Sequence, residues 1–598
     1  MQISASRMGA MLPLVAALSC TGLVDDPPQR STGDLPPTAV DEGEGDEPGQ
    51  SDVPPGVPVP TQDPREEPPI YAGDSEDPAF LDQDRLFTCI PEETTFTPQR
   101  VWRLSAAQFI RSGNHFAGTS QTRTPDPFGF TPSGKTFNNY AQLFSIAESQ
   151  LDGVFRSGRT AALRALRDNK LPGCLRNADR RAQEDGEPID PTGPGWFDEA
   201  CQRALIAYGF TRLVRRPAQE EEIATLQPQM HALTQTLGVH RGMVASMTLL
   251  FGHPDFLFRS ERGTVEPGGG RARLTAYELG AALTFALQNR SPSEARILAE
   301  IEQGTIVEPD VRRETIRRLF DTDQRSSAFL SVMTTFIREY FHHDAGAQIQ
   351  KDGRPGYRWS ELAQSRDRFI ERMIRQDEQF LSRLLSSTDV VDQEGVVSAD
   401  PQRPGLLTRG AWLVSYSQND HTDPIRRGHF IREQLLCQGI PEIPIGVIAQ
   451  LPDATSDTTM RDRLAMHRSD ESCAACHDLM DPLGLPFEQF DHYGDFRTQE
   501  AGRPVDTTGE ILHARDLAGR VEGPGALVAR LAGAEEVERC FVRHLFRYFM
   551  GRDETYGDAC TLRAAHEAYR THGGSLKAAV ESLMMSDTVL YRAVIEER

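Results

Sequence analysis

Apolar residues recur at helical spacing along much of the chain. After Thr275, the residues Leu279, Ala282, Leu283, Ala286 and Leu287 share one face of a 3.6-residue period, and Leu576, Val580, Leu583 and Met584 form a similar stripe near the carboxy end. Such stripes predict packing against a core. The same pattern predicts long helices over 326–342, 361–386, 524–550 and 575–585. Helix starts carry recognisable caps: Ser105-Ala-Ala-Gln108, Thr275-Ala-Tyr-Glu278 and Ser291-Pro-Ser-Glu294 all fit the capping box, the last with Pro292 at the first helical position. No alternation of strands and helices, no phosphate-binding glycine loop and no internal repeat is present. The expected fold is mainly α, a multi-domain helical body with irregular, proline-containing connections.

Composition shifts suggest its divisions. Pro267-Gly-Gly-Gly270 separates a helical region over 90–265 from a second over 272–390. A loop-rich region follows over 400–515, and residues 516–598 read as a closing helical unit.

The amino terminus has a different character. Residues 1–20 combine Arg7, a short apolar run from Met8 to Leu18 and small residues before Cys20, as a secretory signal does; the run is too short to cross a bilayer. Ala17-Leu18-Ser19-Cys20 resembles the bacterial lipobox, which implies acylation of Cys20; a plain signal peptide is the alternative. Residues 21–85 hold 17 acidic side chains against three arginines, and 13 of the chain's 40 prolines. Such a segment cannot bury enough surface to offset chain entropy and is expected to be a disordered, acidic tether.

This reading localises the formal charge of −23. The tether accounts for −14 and Arg7 for +1, leaving −10 on 513 residues. The acidity therefore describes a spacer more than a substrate site, and it argues against nucleic acid as a partner. The expected location is periplasmic or cell-surface, with the outer membrane reached through the lipid. Nine cysteines fit an oxidising compartment. Setting aside Cys20 and the close pair Cys473/Cys476 leaves six, for which 15 pairings exist. Sequence proximity favours Cys174–Cys201 and Cys540–Cys560, leaving Cys89 for Cys437.

The sharpest chemical signal is Cys473-Ala-Ala-Cys476-His477, the c-type haem attachment sequence. Two thiols separated by two residues on a tight turn can reach both vinyl groups along one porphyrin edge, and the adjacent His477 then ligates iron on the proximal face. A redox-active C-x-x-C, a zinc site and a Cys473–Cys476 disulfide are competing readings. The first lacks a thioredoxin-like context, the second lacks further ligands at standard spacing, and the third leaves His477 unexplained. The expected cofactor is one covalent haem c. Candidate distal ligands are His467, His492, His544, Met550, Met584 and Met585, and an open sixth position is equally allowed; Met480, three residues beyond His477, lies on the same side of the ring. Asp481, Glu488 and Asp491 are candidates for orienting His477 or solvating the haem edge, with loop capping as the alternative.

The stretch 473–497, CAACHDLMDPLGLPFEQFDHYGDFR, resembles the haem-motif segment of the exported planctomycete-type cytochrome c proteins. Matching positions include His467, Cys473, Cys476, His477, Asp481, Pro482, Gly484, Glu488, Phe490, Asp491, Gly494 and Arg497. Upstream and downstream, 423–444, 210–222, 253–261 and RCFVRHLFRYFMGRDE resemble other parts of the same proteins, and 103–111 does so more weakly. The resemblance implies DUF1587- and DUF1595-like character over 90–265, DUF1592-like over 272–390, DUF1588-like over 400–515 and DUF1585-like over 516–598. It implies an exported, mainly helical, single-haem protein and no particular reaction, and it supports His467 as a site residue. Two functions follow as expectations. One is a lipid-anchored mono-haem cytochrome that passes electrons to an unknown partner or serves an oxidoreductase of unknown substrate. The other is a surface binding or scaffold lipoprotein whose haem is structural or absent.

Overall fold

In a computed structural model, the described residues are 77–595, apart from 119–126, 129–136, 141–144, 169–170, 322–326, 352–353, 355–356, 441–454, 456 and 469–470. The signal sequence, Cys20 and residues 21–76 of the expected tether lie outside them. The fold is mainly α, with short strands that tie distant segments together. Among the described residues, no helix is long and apolar enough to cross a membrane.

Six helices surround the first core: α1 (Ala106–Phe116), α2 (Glu148–Arg167), α3 (Gly173–Glu184), α4 (Glu199–Gly209), α5 (Glu220–Leu237) and α6 (Val239–Phe251). Phe109, Phe116, Leu205, Met243, Phe251 and Phe256 fill it. The capping box predicted at Ser105 is present, with Gln108 returning its side chain to the cap. A second, larger core runs through α7 (Ala276–Gln288), α8 (Ala295–Glu302), α9 (Pro309–Leu319), α10 (Ala328–Tyr340), α11 (Trp359–Gln376), α12 (Pro424–Phe430), α13 (Met460–His467), α14 (Glu471–Gly484), α15 (Gly523–Ala532), α16 (Glu535–Met550), α17 (Ala559–Thr571) and α18 (Leu576–Met585), though α13 contributes instead to a small satellite cluster.

Sequence and structure diverge where a local pattern meets a tertiary demand. The Thr275 capping box forms, but Ser291 starts no helix: its buried hydroxyl bonds the Ser112 hydroxyl at 3.1 Å, and α8 begins at Ala295. The helix expected over 361–386 breaks at Asp377 and Gln379, which adopt left-handed φ of 50° and 43°, and resumes as Phe380–Ser386. The one expected over 524–550 breaks at Gly533-Ala534 into α15 and α16. Pro267–Gly270 forms the turn of a hairpin between Thr264–Val265 and Arg271–Arg273. The latter strand also pairs with Tyr591–Ala593 at the carboxy end.

The expected tether ends earlier than its composition suggests. Residues 77–86 are folded: Asp77 and Asp82 cap short helical turns, and Leu81 and Leu86 are buried in the larger core. The Asp84 carboxylate pairs with Arg515 and Arg539. Two apolar anchors and a pair of guanidiniums outweigh the local Asp/Pro bias.

The disulfides correct two expected pairings. Cys174–Cys201 is bonded, but Cys89 pairs with Cys560 and Cys437 with Cys540. Cys540 and Cys560 lie on α16 and α17, and each faces a different segment of the chain. The Cys89 strap lies over α17, so proximity in sequence is a poor guide here.

Buried charge organises the interior. Glu554 is enclosed, accepting Arg543 Nε at 2.5 Å and Arg547 Nε and Nη2 at 2.6 and 2.7 Å. Burial alone would raise its pKa; Arg547 and Arg543 outweigh that and hold the carboxyl well below the ordinary range. Glu261 is placed the same way: burial is outweighed by Arg100, Arg592 and Arg259.

Helices α12 and α14 touch backbone to backbone. A Cβ at Gly428 would overlap the Met480 carbonyl, and one at Gly484 would overlap the Pro424 carbonyl. Only glycine fits at these two positions.

Glu554→Ala removes the close carboxylate partner of two buried guanidiniums, leaving Arg547 with Asp553 at 3.9 Å and Arg543 with the Pro78 carbonyl, and urea unfolding should show a loss of about 3–5 kcal/mol. Because the folded carboxylates of Glu554 and Glu261 titrate below their unfolded value of about 4.3, their contribution is complete above that pH and falls as pH drops toward the folded values. Gly428→Val should lower stability by at least about 1–3 kcal/mol through overpacking, without changing the m-value.

Candidate haem-attachment site

The whole Cys-Ala-Ala-Cys-His sequence lies within α14, not on a tight turn. On a helix, positions i, i+3 and i+4 share a face, so Cys473, Cys476 and His477 project together. Both cysteines are half-buried, and neither is in a disulfide. Burial, together with neighbouring Cys473, pushes the Cys476 thiol above its ordinary pKa. A redox-active C-x-x-C depends on the opposite shift.

Asp481, one turn beyond His477, is fully buried. Its carboxylate oxygens lie 3.0 and 3.2 Å from His477 Nδ1, an arrangement that fixes the imidazole's orientation and directs Nε2 away. His477 itself is 12% exposed, open enough for a ligand to reach it.

The short helix α13 brings the second imidazole. Thr459 and Asp462 close a capping box at its start, and the Met460 amide donates to Glu500 at 3.1 Å. Met460 and Leu464 pack on Leu485, with Ile425 against them, as an apolar cluster separate from the two main cores. This packing sets His467, in the last turn of α13, across from His477. The ring centroids are 4.6 Å apart and the planes are inclined at 73°. The adjacent Arg468 pairs with Asp478 of α14, a second tie between the helices.

Beneath α14, Arg427 and Glu488 form a buried hub. Arg427 donates to the Glu488 carboxylate at 3.3 Å, to the Phe487 carbonyl at 3.1 Å and to the Tyr416 carbonyl at 3.2 Å. Thr422 and Arg497 donate to the other Glu488 oxygen at 2.7 and 2.8 Å. Glu488 thus fixes the segment after α14 and does not touch His477. Asp491 accepts the Tyr493 and Asp495 amides, which is loop capping.

The remaining distal candidates lie in other surroundings. His492 stacks with Tyr493 at 4.0 Å between ring centroids. His544 is fully buried against Tyr340, and Met550 and Met584 are part of the larger core, with Met585 at its edge. Met480 is buried on α14 with its carbonyl against Gly428. Sequence reasoning named His467 and Asp481 but missed Arg427, Gly428 and the α13 cluster. A glycine inside a helical pattern was the one available signal for Gly428.

The thiol pair, the adjacent oriented imidazole and the apolar cluster at α13 suit a covalently attached haem. Three family models match the chain, each described as a protein of unknown function: DUF1592 over residues 274–395, DUF1588 over 403–500 and DUF1585 over 519–589. No curated protein and no solved structure matches. The DUF1588 match contains α12, α13, α14, the Arg427–Glu488 hub and both facing histidines. The three matched domains are the planctomycete cytochrome-c-associated domains, those of the family that the sequence resembles.

Proposed function

We propose that this protein is an exported mono-haem c-type cytochrome, acting in electron transfer or as part of an oxidoreductase. Cys473 and Cys476 would hold the haem covalently and His477 would ligate its iron, with His467 the nearest candidate for a second ligand. The observation that carries this reading is a pair of half-buried cysteines in no disulfide, on the same helical face as an imidazole whose Nδ1 is held by buried Asp481; His467 lies beside it, 4.6 Å away between ring centroids.

Haem c in such a site supplies a one-electron iron couple. The chain's own residues set its surroundings. Asp481, 3.0 Å from Nδ1 of His477, favours the tautomer that carries its proton there and leaves Nε2 free to ligate. Met460, Leu464, Leu485 and Ile425 supply an apolar wall that limits water on the α13 side. Were His467 also to ligate the iron, electron transfer would be favoured over oxygen or peroxide chemistry.

Cys20 acylation would anchor the chain at a membrane. The 14 acidic residues and two arginines of 21–76 fit a spacer that keeps the folded body off an anionic surface.

The purified mature protein should give a pyridine haemochrome spectrum under denaturing conditions, with one haem per chain. Cys473→Ala/Cys476→Ala should abolish it; absence of covalent haem in the wild type would sink the proposal. The reduced wild type should bind carbon monoxide poorly, and His467→Ala should bind it readily. If both bind equally, the distal assignment fails while the attachment assignment stands.

A further inference from the structure

A second group of soft ligands lies in the larger core, outside the haem motif. Cys437, just beyond α12, is bonded to Cys540 on α16, and His544 stands one turn further along α16. The three residues are buried, with Cys540 and His544 fully enclosed. His544 Nε2 faces Cys437 Sγ at 3.9 Å, and Nδ1 has no hydrogen-bond partner among the described residues. Rings cover the rest of the imidazole: Tyr340 lies 4.3 Å away between centroids and Phe137 6.0 Å.

Nε2 is thus the ring nitrogen turned to the sulfurs, and its contact there is long and weak. Burial first, and then nearby Arg547, hold the imidazole's pKa well below the ordinary value, so the ring is neutral and carries a lone pair. One ligand atom from each of Cys437, Cys540 and His544 lies within 4.8 Å of the others. Two sulfurs and one imidazole nitrogen are the donor set of thiophilic d10 ions, and two thiolates neutralise a divalent cation, so no net charge is buried. A cavity of about 150 Å³, lined by Cys437, Gln434, Tyr140, Glu433, Arg543 and Arg547 among others, adjoins Cys437 and gives room beside it for a water ligand.

We propose that Cys437, Cys540 and His544 form a binding site for a thiophilic metal ion, Zn²⁺ or Cu⁺, in the dithiol state of the chain. The disulfide and the metal are alternative clips across the same junction, between the DUF1588-matched and DUF1585-matched segments. A dithiol reductant transfers two electrons and two protons to the Cys437–Cys540 bond and leaves as its own disulfide. Metal binding then releases both thiol protons to solvent; once the metal leaves and the thiols are reprotonated, exchange with a disulfide oxidant, which takes up the two electrons and two protons and leaves as a dithiol, restores the bridge.

The test uses the full chain with Cys473→Ala/Cys476→Ala, so that the haem motif contributes no thiols. After reduction and removal of the reductant under anaerobic conditions, Co²⁺ should bind at one ion per chain with thiolate-to-metal charge-transfer absorption. The oxidised chain should show none. His544→Gln should weaken binding on the order of tenfold or more, and Cys437→Ala/Cys540→Ala should abolish the absorption. Alkylation of the reduced, otherwise unchanged chain provides a readout independent of how those variants fold. Zn²⁺ should protect Cys437 and Cys540 but not Cys89, Cys174, Cys201 or Cys560; Cu⁺ in place of Zn²⁺ shows which ion binds more tightly. Equal alkylation with and without either ion, or Co²⁺ absorption that survives loss of both cysteines, would overturn the site.

Discussion

The close crossing of α12 and α14 is the constraint on which the candidate site depends. With Gly428 against the Met480 carbonyl and Gly484 against the Pro424 carbonyl, two backbones meet with no side chain between them. That contact sets the height and rotation of the helix carrying Cys473, Cys476 and His477. The Arg427–Glu488 hub then locks the crossing from below, because Arg427 belongs to α12 and Glu488 follows α14. A buried ion pair adds little net stability, but breaking it is costly, so it penalises displacement of either element. Above α14, a small apolar cluster holds α13 and with it His467. The helix with the thiols is thus built into the core, whereas the opposing imidazole comes on a lightly attached helix.

The wider fold is organised by long-range ties. Strand pairing joins Arg271–Arg273 to Tyr591–Ala593, and disulfides join Cys89 to Cys560 and Cys437 to Cys540. Glu261 collects Arg100, Arg259 and Arg592 from three parts of the chain. The three matched domains share one large core, with Phe336, Phe369, Trp412, Phe487, Phe541 and Leu583 drawn from all of them. A perturbation at one matched segment is therefore felt by the others.

What could be read from the chain was what is local. Helical periodicity and the capping boxes at Ser105 and Thr275 are properties of a few neighbouring residues, and both caps form. The C-x-x-C-H spacing is also local, and the Asp481 contact follows from i,i+4 geometry. Partners distant in sequence were not legible. Ser291 has the same local signature as Thr275, but Ser112 takes its hydroxyl. Arg427 and Glu488 are 61 residues apart, and nothing in either neighbourhood marks them as a pair. The cysteine pairings failed for the same reason: the strap bearing Cys89 returns across 471 residues to Cys560. Acid-rich composition overstated the tether, because Leu81 and Leu86 suffice to seat its last residues.

The central claim is that α14 and α13 hold one haem between His477 and His467. The electron paramagnetic resonance spectrum of the oxidised, purified protein tests it most directly. The account predicts a low-spin ferric signal with no added ligand, converted to high spin by His467→Ala. A high-spin signal in the wild type, or a low-spin signal unchanged by His467→Ala, would contradict it.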